Sequence, residues 1–202
     1  MILIWILAFA ITITIHEAAH AWTADRLGDP TARLMGRLSL NPIVHADLYG
    51  SVLVPLLLIF IGSPFVFGWA KPVPIDPYNL QNPRKDSALI ALAGPLVNIL
   101  LATLLAILFR VGIQNEFILI LLRLNVILAV FNLVPIHPLD GGKVLVGILP
   151  DHEGRQVDLF LGRYGMILLF MLIFPIFGGT SLITSIISPI INTIFNLLIP
   201  MN

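Results

Sequence analysis

The sequence predicts an all-α polytopic membrane protein with about five to six transmembrane helices, a re-entrant segment and a small membrane-associated strand region. Hydrophobic residues make up 58% of the chain and charged residues only 11%, whereas soluble domains carry about a quarter charged residues. Several apolar segments also approach or reach about 20 residues, the length that a helix needs to cross a bilayer. We therefore expect a single membrane-embedded domain, 1–202, in contact with lipid.

Five segments are long and apolar enough to cross a bilayer, or nearly so. They are 1–22, 87–110, 117–137, 163–178 and 181–200. A sixth apolar segment, 51–67, is shorter and is interrupted by two prolines and a glycine. The stretches 23–49 and 68–86 hold most of the charges and many turn residues, which is typical of loops or short strands at the membrane surface.

Two polar motifs predict how these segments cross. HEAAH lies near the end of the first segment, and PLDGG follows 117–137. If both motifs serve one site, an even number of crossings separates them, so we expect 51–67 to be re-entrant, with its backbone covered by protein or a wet cavity. Lys and Arg are concentrated on the site's side, which the positive-inside tendency makes cytoplasmic. The N-terminus is then expected outside and the C-terminus inside.

Charge and cysteine content limit the possible partners and metal ligands of the chain. The chain has 11 basic and 11 acidic residues, and this balance argues against nucleic acid as a partner. It has no cysteine, which excludes disulfides, thiol nucleophiles and thiolate metal ligands. Histidine and carboxylate side chains therefore remain as the candidate ligands for a metal ion.

The clearest local motif is His16-Glu17-Ala18-Ala19-His20. Helical residues four apart share a face, so both imidazoles can reach one metal ion, and Glu17 lies one position away. Zinc lowers the pKa of a bound water to about 7, and the glutamate can then accept its proton. Ionisable side chains in an apolar helix are costly and mark functional sites. The motif predicts one zinc ion per chain, with His16 and His20 as ligands and Glu17 as the catalytic base.

A third protein ligand is needed, because catalytic zinc sites commonly use three protein ligands and a water. No histidine follows His20 until His45, so the missing ligand must be distant in sequence. Asp140 in PLDGG is the leading candidate, since it follows a long apolar segment and precedes two glycines that permit close backbone approach. An Asp-Gly-Gly turn can also be ordinary turn chemistry. Its combination with HEAAH favours the ligand role.

The chain resembles the site-2 proteases, zinc metalloproteases that cut substrates within the membrane. The resemblance covers nearly the whole chain, and the matching motifs occur in the family's order: HEAAHAW, LGDPTARLMGRLSLNPIVHADLYGS, FGWAKPVPIDP, AGPLVN and FNLVPIHPLDGG. It is similar to the compact prokaryotic-type members that lack PDZ and CBS domains. The resemblance implies an integral protein of a prokaryotic plasma membrane that hydrolyses a transmembrane protein substrate, with the active site towards the cytoplasm.

The resemblance also implies roles for individual residues. His16, His20 and Asp140 correspond to the metal ligands, Glu17 to the base, and Asn132 to the asparagine eight residues before the ligand aspartate. The Asn132 amide could stabilise an oxyanion or hold substrate backbone. Segment 67–74 looks like the family's substrate-facing strand region, although proline-rich linkers look similar. Asn98 is expected to be mainly a helix-contact residue.

Other interpretations stay open at this stage. His45 could lie near the site or in a solvated loop, and His152 is expected in solvent. His137 departs from the family's usual proline or apolar residue, and it could contact the site or even ligate the metal in place of Asp140. A metal-ion transporter is the alternative function, because intramembrane His and Glu can line an ion path. The lack of His, Asp or Glu in 87–110, 163–178 and 181–200 argues against a conduit.

Overall fold

The computed structural model describes residues 2–61, 68–174 and 181–199. Within these ranges the regular structure is helical, which confirms the all-α class, and it contains no β-strand. The helices are Ile2–Arg26 (α1), Thr31–Leu34 (α2), Pro42–His45 (α3), Val54–Phe60 (α4), Pro83–Arg110 (α5), Glu116–Asn132 (α6), Asp140–Ile148 (α7), Asp151–Ile173 (α8) and Ser188–Leu198 (α9). Wider helical turns lead into α4 over Leu48–Leu53 and into α9 over Ile183–Ile187.

Among the residues that the structure describes, three helices are long and apolar enough to cross a membrane: Leu3–Arg26 of α1, Pro83–Arg110 of α5 and Asp151–Ile173 of α8. The count of five to six crossings stays a prediction. Helix α6 is 17 residues long and ends at Asn132, before the end of the predicted segment 117–137, because Pro135 disfavours continuation of the helix. Helix α8 begins well before residue 163, since its first half is polar and an apolar count misses it.

The predicted re-entrant segment is helical where it is described. A wide turn of six residues runs directly into α4, which has seven. Together they are about 20 Å long at 1.5 Å per residue, shorter than the hydrocarbon core of about 30 Å. This length fits the expectation that 51–67 does not fully cross, but re-entry itself stays a prediction, and 62–67 lie outside the described residues.

The predicted strand region is wrong for the residues that the structure describes. Residues 68–76 have no regular secondary structure and belong to no sheet. The Trp69 N–H donates to the Gly50 carbonyl at 3.1 Å, and the Lys71 N–H donates to the His45 carbonyl at 2.9 Å. Prolines at 72 and 74 have no N–H to donate, so a regular ladder cannot form along this segment. Phe67, the first residue of the predicted strand, lies outside the described ranges.

The core of the bundle is formed by α1, α5 and α6, and α5 packs against both of the others and against α7. Small residues Ala8, Ala102 and Ala106 are fully or almost fully buried where these helices meet. Small side chains let membrane helices approach closely, which matters because lipid supplies no hydrophobic driving force between helices. This close packing brings the HEAAH end of α1 against the first half of α5.

The end of α9 lies at the opposite end of α5 from this contact. The Arg110 side chain, at the last residue of α5, donates to the carbonyls of Leu197 and Leu198 at 2.9 and 3.0 Å. The expectation that the C-terminal segment ends on the site's side is therefore wrong for residues 197–198. That expectation counted each apolar segment as one crossing. In the structure α8 packs mainly on α7, and α9 packs on α5 and α6.

A buried carboxylate joins the loops on the site's side of the bundle. Asp29 accepts hydrogen bonds from the Asp76 N–H at 2.7 Å, from the Asn79 amide at 2.9 Å and from Thr31. Burial alone would raise the pKa of Asp29, but these hydrogen bonds outweigh it and hold the pKa below its ordinary value. The charged carboxylate thus ties the end of segment 68–76 to the loop after α1.

Candidate metal centre

Three side chains that are distant in sequence meet between α1 and α7. His16 and His20 lie four residues apart on one face of α1, and Asp140 is the first residue of α7. The His16 Nε2 atom lies 3.0 Å from His20 Nε2 and 3.1 Å from Asp140 Oδ2, and His20 Nε2 lies 3.3 Å from the same oxygen. The structure thus brings together the three residues that the sequence predicts as ligands, and they form a group able to hold a metal ion.

Two glycines explain how Asp140 reaches this position. A Cβ at Gly141 would overlap the Leu133 carbonyl, and a Cβ at Gly142 would lie 2.6 Å from the His137 Nδ1 atom. Only glycine therefore lets the loop after α6 fold tightly against the first turn of α7. The sequence argument from PLDGG rested on this close approach, and the structure shows which atoms require it.

The hydrogen bonds of the two imidazoles determine which ring nitrogens face the centre. His16 Nδ1 lies 2.6 Å from the Asn98 side-chain oxygen, and His20 Nδ1 lies 2.7 Å from the Ile90 carbonyl. The Asn98 oxygen is an acceptor, since the amide nitrogen of that side chain donates to Asn125 at 2.6 Å. Both Nδ1 atoms must then carry the proton, so both Nε2 atoms present lone pairs.

This arrangement fits a zinc ion. Two imidazole lone pairs and a carboxylate converge at 3.0–3.3 Å, and such groups repel each other unless a cation lies between them. Zinc bonds of about 2.0–2.1 Å in tetrahedral geometry place neighbouring donor atoms about 3.3 Å apart. Two histidines and one carboxylate also form a donor set of catalytic zinc sites. The residues present therefore match the predicted cofactor in donor type and spacing.

Glu17 lies beside this cluster rather than in it. Its Oε2 atom accepts a hydrogen bond from the Val73 N–H at 3.2 Å, in segment 68–76. Val73 is in turn positioned by its neighbours, because the buried Arg37 guanidinium donates to the carbonyls of Lys71 and Pro72. The carboxylate is thus held next to the metal centre by one of its two oxygens.

Asn98, which the sequence suggested was mainly a helix-contact residue, supports the centre directly. It is fully buried and bridges His16 to Asn125, and the Asn125 amide donates to the Thr12 hydroxyl at 3.1 Å. Partners that orient a metal-binding histidine also tune its affinity for the metal. Asn125 and Thr12 were missed at the sequence level. The available signal was the presence of buried polar residues in apolar helices.

We expect Asn98→Ala to weaken zinc binding roughly 10- to 100-fold, because His16 would lose the acceptor of its Nδ1 proton. The measurement is the zinc affinity of the metal-free protein in competition with a chelating dye. Thr103→Ala is the matched control, since Thr103 lies on the same helix but donates only to its own helix at Ile99. Equal affinity of Asn98→Ala and Thr103→Ala would contradict the role of Asn98.

The other predicted residues lie apart from the centre. The Asn132 amide donates to the Leu128 carbonyl of its own helix at 3.1 Å, so its suggested role towards an oxyanion stays a prediction. His45 is buried and donates to the Ser39 carbonyl at 2.8 Å, which makes it a support for the loop.

His137 and His152 are also accounted for. His137 Nε2 lies 3.0 Å from Asp158 of α8, so His137 joins the loop before α7 to that helix rather than to the metal cluster. His152 is exposed on α8, in agreement with the expected solvated position.

A bundle of apolar helices that holds an HExxH motif and a distant carboxylate in one site is typical of membrane-embedded metalloproteases. The model of peptidase family M50 matches residues 4–115 and 110–176. YwhC of Bacillus subtilis, named as a zinc metalloprotease, is 35% identical over 158 residues, covering 72% of this chain and 68% of YwhC. The chain therefore belongs to peptidase family M50.

More distant relatives agree with this assignment. Rip2 of Mycolicibacterium smegmatis, also named as a zinc metalloprotease, is 29% identical and covers 83% of this chain and 65% of Rip2. Zinc metalloprotease MJ0392 of Methanocaldococcus jannaschii is 26% identical, covering 75% of this chain but only 35% of MJ0392. No solved structure gave a significant match. The family and the donor set together identify zinc as the metal that suits this centre.

Proposed function

We propose that this protein is an intramembrane zinc endopeptidase that hydrolyses a peptide bond in or near a transmembrane segment of another membrane protein. The observation that carries the proposal is the depth of the cluster. His16 and His20 precede Arg26, the last residue of α1, by ten and six residues, which places them about 9–15 Å along the helix from that end. A metal centre at this depth suits a substrate that is itself embedded in the bilayer.

His16, His20 and Asp140 are the proposed ligands of one zinc ion in a single catalytic domain, 1–202. When bound, zinc would polarise the scissile carbonyl and lower the pKa of water at the site. The Glu17 carboxylate accepts a proton from the attacking water as the water oxygen bonds to the carbonyl carbon. Glu17 then delivers that proton to the leaving nitrogen as the carbon–nitrogen bond breaks. Asn132 is the proposed donor to the carbonyl oxygen.

Residues 68–76, which are neither helix nor strand, suit a substrate-facing role. A transmembrane substrate is helical, so its peptide bonds are shielded until the helix unwinds locally. The unwound segment needs partners for its backbone, and a non-helical chain beside the base can offer them. Val73 already contacts Glu17 through its backbone N–H, so this segment borders the site of attack.

We propose that the protein resides in a prokaryotic plasma membrane with its active site towards the cytoplasm. Arg84 and Lys143 line one cavity with Pro138, two residues before Asp140, and Lys71 lies two residues before Val73, which contacts Glu17. The positive-inside tendency places such residues in the cytoplasm. Ion transport has less support. The described residues contain one cluster of three potential metal ligands, whereas a conduit would benefit from a second along a crossing helix.

The test measures zinc content and cleavage of a transmembrane substrate by protein reconstituted in lipid vesicles. We expect about one zinc ion per chain and cleavage for the wild type, with both lost in Asp140→Ala, because two histidines alone hold zinc weakly. Asp25→Ala is the control, since it removes a carboxylate of α1 that pairs with Arg33 away from the centre. Zinc retained by Asp140→Ala would exclude Asp140 as a ligand. A wild type that binds zinc but cuts no membrane substrate would overturn the proposed activity.

A further inference from the structure

A cavity of about 970 Å³ opens at the loop that leads into Asp140. It lies between the first turn of α5, the loop before Asp140, and the facing sides of α7 and α8. Its lining is more apolar than polar and includes Pro72, Pro138 and Val146. Ligand pockets commonly measure about 300–1,000 Å³, so this cavity is large enough for several residues of an extended peptide.

The cavity continues from the two segments that bound the site. Pro72 directly precedes Val73, whose N–H donates to Glu17. Pro138 precedes Asp140 by two residues, and both prolines line the cavity wall. Two parts of the cavity wall therefore lie within two residues of groups at the metal centre.

The charges that line the cavity are unequal. Arg84, Lys143 and Arg155 contribute positive charge, and Asp151 and Asp158 contribute negative charge. Arg84 pairs with Asp151 at 2.5 Å, and Asp158 lies 3.0 Å from a nitrogen of the His137 ring. Within the part of the chain that the structure describes, Lys143 and Arg155 form no ion pair with a carboxylate. With three cations and two carboxylates in its lining, the cavity has an excess of one positive charge.

We propose that this cavity binds the substrate segment that flanks the scissile bond on the site's side of the membrane, and that it selects acidic flanks. The inference rests on the proposed function and adds a substrate class to it. Lys143 and Arg155 pair with Asp or Glu of an extended flank, while the proline-lined wall contacts its backbone. Each exposed ion pair contributes a small free energy, so the expected gain is roughly two- to fivefold in cleavage efficiency for each pair.

An acidic peptide suits the cavity better than a lipid headgroup does. Its wall includes Pro72, next to the residue that contacts the base, and Pro138, two residues before the third ligand. Its basic lining also disfavours the basic flanks that are common on the cytoplasmic side of membrane proteins. The cavity therefore distinguishes possible substrates by the charge of their flanking residues.

The experiment uses three transmembrane substrates in neutral lipid vesicles. They share one apolar helix with an Asn-Gly pair, which weakens helical structure, and differ only in four flanking residues: glutamate, glutamine or lysine. The wild type is expected to cut the glutamate substrate most efficiently and the lysine substrate least. Lys143→Glu and Arg155→Glu should each reduce this preference roughly two- to fivefold, and added salt should reduce it for the wild type.

Matched controls make the same charge change outside the cavity. Lys85 lies next to Arg84 on α5, and Arg163 lies on the same helix as Arg155. Lys85→Glu and Arg163→Glu should both keep the preference for the glutamate substrate. Zinc content and melting temperature identify any variant that misfolds. Equal cleavage of all three substrates by the wild type, or an equal change in the controls, would overturn the proposal.

Two further outcomes separate this inference from its alternatives. If Lys143→Glu and Arg155→Glu slowed all three substrates equally, and only in vesicles with anionic lipid, the cavity would bind a lipid headgroup and the proposal would be wrong. If the zinc-loaded wild type cut no substrate, the proposed function would fail and this inference with it. Cleavage without charge preference would reject the cavity proposal alone.

Discussion

Replacement of Glu17 by glutamine is expected to abolish cleavage and to leave zinc bound. Glu17 stands outside the cluster of three ligands, so the metal donors remain intact. Glutamine has nearly the same shape, and its side-chain oxygen can still accept the hydrogen bond from Val73. It cannot accept a proton from water, however, and loss of a general base slows a reaction about 10²- to 10⁴-fold.

The measurement pairs single-turnover cleavage with metal analysis of the same preparation. Glu153→Gln provides the control, since Glu153 is exposed in the first turn of α8, and it should retain both zinc and cleavage. Joint loss of zinc and cleavage in Glu17→Gln would mean that Glu17 is a ligand. Normal cleavage by Glu17→Gln would assign the base to another residue.

Replacement of Gly94 by alanine is expected to expel the metal. A Cβ at this position would lie 2.5 Å from His20 Nε2 and 2.6 Å from His16 Cε1. Carbon atoms do not approach a ring this closely, so the imidazoles or α5 would have to shift. Helix α5 cannot retreat easily, because it packs against α6 and α7 and accepts the His20 hydrogen bond at Ile90. Zinc affinity should fall by about 100-fold or more, beyond the usual effect of a supporting residue.

Gly162→Ala is the matched control for this change. It makes the same substitution in a candidate membrane helix, but a Cβ there meets nothing within 4 Å. The measurement is zinc content after dialysis against a weak chelator, with melting temperature recorded for both variants. Full zinc occupancy in Gly94→Ala would show that the two histidines can shift without losing the metal, and it would contradict the close packing of α1 on α5.

The ligand cluster could be predicted from sequence because each part carries a local signal. The spacing of His16 and His20 places both on one face of any helix. The argument for Asp140 required only that the two motifs lie at the same depth in the membrane. The support from Asn98 could not be predicted in the same way. Its partners His16 and Asn125 are 82 and 27 residues away, so their contact depends on how three helices pack.

Helix ends and crossings were harder to predict, because hydropathy reports contact with lipid rather than backbone conformation. It marked 163–178 as a crossing but missed the polar first half of α8. It also suggested a site-side end for the last helix, whereas Leu198 lies beside Arg110. Segment 67–74 was expected to form a strand, but a single-sequence pattern does not reveal whether a partner strand exists.

The 124-residue separation between His16 and Asp140 also determines when the centre can be completed during biosynthesis. At about 5–20 residues per second, the ribosome releases the HEAAH helix roughly 6–25 s before it releases Asp140. During that interval the nascent chain carries the base and two imidazoles but lacks the carboxylate that completes the ligand set. The proposed activity is therefore withheld from neighbouring nascent membrane proteins until α7 has been synthesised and inserted beside α1.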